Sequence, residues 1–211
     1  MGPAALKTLT QNCRGWLRAE CPKLIYQVEK RQAGIRDRIA WCLVTFLLQG
    51  VNVQFLPATE NHYGAIGNLV DSPEELYLVC PTGHYPWDEE QLQAIATQRQ
   101  ELTVGQIDST IVAFSNLYDV VPQQSAFIGN VVVAKAHRGK GLGKCLIQHM
   151  AQVCQTKYQA WPHLSVFNNN TRALLLYTEL GFRPYGVESK LDLNQDRVAL
   201  IHMKYGANRL G

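Results

Sequence analysis

The stretch "HRGKGLGKCL", residues 137–146, constrains this chain more than any other. Gly139, Gly141 and Gly143 alternate there with Lys140, Leu142 and Lys144, directly after the apolar run "FIGNVVVA" and directly before the periodic segment "CLIQHMAQV". The three pieces read as strand, tight turn and helix. Glycine lacks the side chain that blocks approach to the backbone, so such a junction aims several N–H groups and the positive end of a helix dipole at one point. That suits a phosphate or pyrophosphate.

Spacing narrows the choice. A G-x-x-x-x-G-K-[ST] loop needs glycine five residues before Gly143, where Arg138 stands, and a hydroxyl where Cys145 stands. A G-x-G-x-x-G fingerprint needs glycine three residues after Gly141 or Gly143, and those positions hold Lys144 and Leu146. What remains is Arg138-x-x-Gly141-x-Gly143. A second pattern lies in "VFNNNTRALLLYTELGF" at 166–182, with Asn170, Ala173, Leu176, Tyr177, Gly181 and Phe182 at its marked positions. Read by itself it is an amphipathic helix that Asn170 caps and Gly181 ends in a left-handed residue, with Tyr177 either a core aromatic or a working phenol.

In this order, separated by a helix and a strand, the two patterns resemble the [QR]-x-x-G-x-[GA] loop and the N-x-x-A-x-x-L-Y-x-x-x-G-F segment of the GNAT acetyltransferase superfamily. The resemblance covers roughly residues 51–205. It implies an α/β (α+β) chain with the GNAT-like acyl-CoA N-acyltransferase fold, a mixed, largely antiparallel sheet flanked by helices. It also implies acetyl-CoA as acyl-donor cosubstrate and direct transfer of the acetyl group to a primary amine. By the same resemblance, the backbone from Arg138 through Gly139, Lys140, Gly141 and Leu142 to Gly143 wraps the pyrophosphate. Lys144 adds positive field, Asn170 a further contact, and Val131, Val132 and Val133 hydrogen-bond the pantetheine arm. Tyr177 falls near the sulfur as general acid, and a strand N–H before the loop stabilises the acetyl oxygen.

Direct transfer needs a neutral amine, yet an alkyl ammonium with a pKa near 10.4 is almost wholly protonated at pH 7. A base is therefore required. The strand "FIGNVVV" offers Asn130 and no carboxylate. Asp119, at the end of "NLYD", is the candidate base, with a turn-closing role as its alternative, and Glu101 follows it. The acceptor is a small-molecule amine or a protein or peptide amino group. Tyr85 and Trp87 in "HYPWDEEQL" either contact it or anchor a loop. A non-catalytic acyl-CoA-binding module is the competing reading.

The remaining sequence supplies limits. Residues 1–50 carry eight Lys and Arg against three Asp and Glu, and residues 51–211 carry twelve against fourteen, so the net charge of +3 originates in the first fifty residues. These form a basic extension beside a domain at 51–211, with a helix expected over about 32–48. Cations do not alternate with aromatics there, so nucleic acid is not an expected partner, although a nucleic-acid or partner-binding arm is the variant reading of this extension. The apolar run "IAWCLVTFLL" is too short to cross a bilayer, and no secretory signal is read at the start. A cytoplasmic protein with free thiols follows, a homodimer being left open. The six cysteines and six histidines show no C-x-x-C or H-x-x-H spacing, so no metal site is expected.

Overall fold

A computed structural model describes residues 26–28, 44–48 and 51–206. Nine strands appear among them: β1 (Tyr26–Val28), β2 (Val44–Leu48), β3 (Val51–Pro57), β4 (Gln100–Ile107), β5 (Thr110–Val121), β6 (Ser125–Val133), β7 (Trp161–Phe167), β8 (Phe182–Leu191) and β9 (Arg197–Tyr205). They form one sheet in the order β1-β2-β3-β4-β5-β6-β7-β9-β8. Every neighbouring pair is antiparallel except β6 and β7. The sheet is thus mixed and largely antiparallel, as the two sequence patterns imply.

The helix expected over 32–48 is corrected at its end. Val44–Leu48 is a strand, with Phe46 opposite Val53 and Leu48 opposite Val51. The rest of that expectation lies outside the described residues. A short apolar run has no period that separates helix from strand, and Val44, Thr45 and Phe46 favour the pleated form once β3 is there to pair with.

The meander β4–β5–β6 follows its turn residues. Asp108 and Ser109, both with positive φ, connect Ile107 to its partner Thr110, as a two-residue hairpin requires. Two sets of helices cover the sheet. α1 (Tyr63–Gly67), α2 (Pro73–Val79) and α3 (Glu89–Gln98) bury Ile66, Leu76 and Leu92 with Val104, Phe114 and Val132. α4 (Leu142–Lys157) and α5 (Thr171–Glu179) bury Leu146, Met150 and Tyr177 with Ile128, Leu164 and Met203. Local chemistry sets the helix starts: Ser72 accepts from Glu75 N–H at 3.2 Å, Asp88 from Gln91 N–H at 2.9 Å, and Asn170 from Ala173 N–H at 3.2 Å.

One irregularity in β6 positions the site. Ile128 and Val132 are four residues apart, which in a regular strand keeps both on one face. Here Ile128 joins the α4 cluster and Val132 the cluster of α1–α3. The register between β5 and β6 shifts between these points, and Asn130 has φ 48°. An inserted residue of this kind inverts the alternation and bends the strand.

Candidate active site

β6 and β7 pair in parallel from Ser125↔Trp161 to Ile128↔Leu164, and no further. Beyond that point β6 runs on to Val133 and β7 to Phe167, so the sheet forks. A cleft of about 740 Å³ occupies the fork, lined by Gly129–Val133 on one side and by Ser165 and Val166 on the other. The glycine loop and α5 close its far end.

Loop geometry follows from the glycines. Gly139 and Gly141 have φ of 76° and 87°, values that L side chains rarely adopt, and Gly141 caps the sixteen-residue helix α4. The first N–H groups of α4 therefore open toward the loop. Val131, Val132, Val133, Arg138, Gly139, Gly141, Gly143, Lys144 and Asn170 all line the one cleft. Lys140 and Leu142 do not, and Leu142 is fully buried in the core.

Two of the loop cations, Arg138 and Lys144, are held by partners. Arg138 pairs with Glu75 of α2, and its Nε donates to the Val133 carbonyl at 2.8 Å. Lys144 pairs with Glu179 at 2.7 Å. Arg172, which the sequence reading passed over, also lines the cleft, with its Nη2 3.8 Å from where a side chain on Gly139 would begin.

At the fork, Asn130 accepts from Asn116 Nδ2 at 2.7 Å and donates to the Val79 carbonyl at 2.9 Å, which ties the bulge to α2. Gly129 is glycine by necessity, since a Cβ there would meet the Tyr118 ring at 2.9 Å. Tyr177 lines the cleft with 6% of its surface exposed, and burial pushes its phenol above the ordinary range. It stays protonated at neutral pH.

The base candidates lie elsewhere. Asp119 is exposed on β5 with φ 45° and is not among the cleft residues. Glu101 is outside the cleft too, paired with Lys157 and accepting from Tyr158 Oη at 2.6 Å. Trp87 is buried against Phe114 and anchors its loop, while Tyr85 is exposed, and neither reaches the cleft. Sequence reasoning also missed Ser165, which gives no signal in "HLSVF", and Glu75, whose "SPEE" context reads only as a helix start.

Several features of the cleft fit a phosphate-bearing thioester: the open glycine backbone, the cations Arg138, Lys144 and Arg172, and the unzipped edge of β6. Comparison with known proteins agrees. Residues 70–182 match the acetyltransferase (GNAT) family, and the chain belongs to it.

Over 96 residues the chain is 31% identical to streptothricin acetyltransferase of Streptomyces lavendulae, covering 46% of this chain and 50% of that protein. Over 70 residues it is 40% identical to a probable spermine N(1)-acetyltransferase of Bacillus subtilis subsp. natto, covering 31% and 42%. The chain thus spans about half the length or less of these curated relatives. A GNAT family acetyltransferase from Elizabethkingia anophelis, solved with acetyl-CoA bound, superposes with a TM-score of 0.53 at 19% identity, covering 72% of this chain and 96% of that one. At that identity the likeness shows the fold. Among the described residues no helix is long and apolar enough to cross a membrane.

Proposed function

We propose that this protein transfers an acetyl group from acetyl-CoA directly to a primary amine. The observation that carries the reading is the fork between β6 and β7, which brings the glycine loop, the free edge of Val131–Val133 and Tyr177 to one cleft. Acetyl-CoA supplies the activated acetyl group as a thioester. The N–H groups of Arg138–Gly143 and the α4 dipole bind its pyrophosphate, with positive field from Arg138, Lys144 and Arg172. Val131–Val133 offer main-chain donors and acceptors to its extended arm. A β6 N–H beside the bulge at Asn130 stabilises the acetyl oxygen, and the Tyr177 hydroxyl protonates the departing sulfur.

The amine enters from the face of the fork that carries Tyr118, Tyr185 and Ser165. It is a small polyamine-like molecule or a peptide amino group, and the reaction belongs to the cytoplasm. Residues 1–50 act outside this chemistry. The test is thiol release from acetyl-CoA over spermine, free lysine and a short peptide with a free N-terminus. Turnover with at least one, and product acetylated on nitrogen, is the expected result. Tight acetyl-CoA binding with no turnover on any of them would leave only a binding module.

A further inference from the structure

The carboxylates that line the cleft lie on its helices, Glu75 paired with Arg138, Glu179 paired with Lys144 and Glu74 in the first turn of α2, and at the fork itself a different polar residue leads somewhere. Ser165 is the first residue of β7 past the last pair with β6, so it stands at the crotch of the fork and lines the cleft with Asn130 and Tyr177. On the other side of β7 it lies directly opposite His202 of β9, and Ser165 Oγ is 2.8 Å from His202 Nδ1. The second ring nitrogen, Nε2, is 3.0 Å from Glu188 Oε1 of β8. A carboxylate only accepts, so Nε2 carries the ring proton and donates to Glu188. That leaves the Nδ1 lone pair to accept from the Ser165 hydroxyl.

Burial gives the row of groups a direction. The side chains of His202 and Glu188 are 19% and 50% exposed, so the row runs from the cleft, across the face of β9 and β8, to solvent. The surroundings are polar on each packed element. From β5 the Tyr118 hydroxyl lies within hydrogen-bonding reach of Ser165. From β8, Lys190 pairs with Glu188 at 2.6 Å, and the Tyr185 ring lies 6.1 Å from that of His202. Tyr185 Oη is also 3.2 Å from His163 Nδ1 of β7, and Lys204 of β9 lies over its ring.

We propose that Ser165, His202 and Glu188 form the proton relay that deprotonates the acceptor amine, an inference that rests on the acetyl-transfer reading. The incoming ammonium gives one proton to Ser165 Oγ as the serine hydroxyl proton passes to His202 Nδ1. The imidazolium so formed gives up its other ring proton, on Nε2 beside Glu188, to bulk water, and the ring is left neutral. The neutral nitrogen then bonds to the acetyl carbon and the carbon–sulfur bond breaks. The sulfur leaves with the electron pair and takes a proton from Tyr177, which is restored by the second proton lost from nitrogen. One proton appears in solvent and one on the CoA thiol. Ser165 is the catalytic residue, touching the amine; His202 acts through it, and Glu188 positions the ring and fixes its tautomer.

The experiment uses the full chain and the best acceptor among spermine, lysine and the peptide. Ser165→Ala and His202→Asn are each expected to lower kcat/KM at pH 7 by about a hundredfold, within the range for a positioned base, with the acetyl-CoA Kd unchanged by calorimetry. The pH profile separates a base from a structural residue. Wild-type kcat/KM levels off with rising pH, whereas in the variants it keeps climbing toward the ionisation of the amine itself, so that the deficit shrinks at high pH. Glu188→Gln, at the solvent end, leaves packing intact and is expected to show the same profile with a smaller loss.

Wild-type rates and profiles in these variants, while the native protein turns over, overturn the relay and leave the acetyl-transfer reading standing. So does mass-spectrometric detection of acetyl-Ser165 with acetyl-CoA alone, which makes the serine a nucleophile instead. Absence of turnover in the native protein with every acceptor removes the underlying reading and the relay with it.

Discussion

Arg138 and Glu75 form an ion pair across the mouth of the cleft, and Arg138 Nε simultaneously donates to the carbonyl of Val133. The guanidinium therefore joins α2, the end of β6 and the glycine loop. Both side chains are about three-quarters or more buried, at 26% and 20% exposure, so the pair is better shielded than a surface bridge. Arg138→Ala is expected to lower stability by about 1 kcal/mol and to weaken acetyl-CoA binding by about tenfold or less, because the proposed site would hold the anion mostly through main-chain N–H groups. Denaturant titration and calorimetry measure the two effects. A loss of binding beyond about a thousandfold would make the side chain, not the backbone, the main pyrophosphate ligand.

Gly143 sits inside the first turn of α4, where an added Cβ would meet Leu176 Cδ2 at 3.5 Å and Val133 Cγ2 at 3.8 Å, ordinary contact distances. Gly143→Asp should therefore fold. It places a carboxylate beside the proposed pyrophosphate site, and acetyl-CoA binding is expected to fall at least a hundredfold. Unchanged circular dichroism with wild-type affinity is the result that removes the pyrophosphate from this loop.

Tyr177→Phe deletes one hydroxyl from a buried ring. If that hydroxyl protonates the sulfur, kcat falls about ten- to a thousandfold while the acetyl-CoA Kd hardly moves. Because burial raises the phenol pKa, no limb of the wild-type profile near neutrality should vanish in the variant. Single-turnover rates equal to wild type would return Tyr177 to the core.

His149 of α4 stacks on Phe55 at 4.9 Å with its Nδ1 buried and unpartnered. Burial lowers its pKa from 6.5 to about 4, with Glu101 opposing the shift. The unfolded chain then binds the extra proton first, so stability is full above about pH 6.5 and is lost as pH falls toward about 4. At about 1.4 kcal/mol per pH unit the displacement from 6.5 to about 4 amounts to about 3.5 kcal/mol. That figure is a ceiling, since part of the residue reaches solvent. Urea melts between pH 7 and 4 should show a shallower slope in His149→Phe, and an identical slope would place the sensitivity elsewhere.

Every residue lining the cleft lies at position 74 or beyond. Deleting residues 1–50 removes β1 and β2 and bares one edge of β3, whose other edge stays paired with β4. The shortened protein should retain acetyl-CoA affinity within about threefold and aggregate more readily through the open edge. Calorimetry and light scattering check both. A folded, soluble product that no longer binds would put part of the site in the first fifty residues.

The parts of this molecule legible in its sequence are those written in contiguous residues. The loop at 137–143 and the segment Asn170–Phe182 announce their turns and faces through glycine, capping and period, and the structure brings them to one cleft. Ser165, Glu188 and His202 were illegible because they lie on three strands, and β9 enters between β7 and β8 against chain order. Only that order sets Ser165 opposite His202. The bulge at Asn130 was hidden likewise, since an even run of apolar residues does not record an inserted one. Val44–Leu48 reads as the end of a helix because Ile39, Cys42, Leu43 and Phe46 recur near helical spacing, a pattern that a continuous apolar run also satisfies.

The four residue pairs from Ser125↔Trp161 to Ile128↔Leu164 are the whole of the backbone ladder between the first six strands and the last three. Structurally the molecule is a book whose spine is stitched over part of its height, with helix α4 packed along the stitching. Anything that binds in the open part also fastens the covers. At a hundredfold excess over its dissociation constant such a ligand adds about 2.7 kcal/mol to the folded state, so heat, protease and storage will each treat the empty and the filled protein as two different materials.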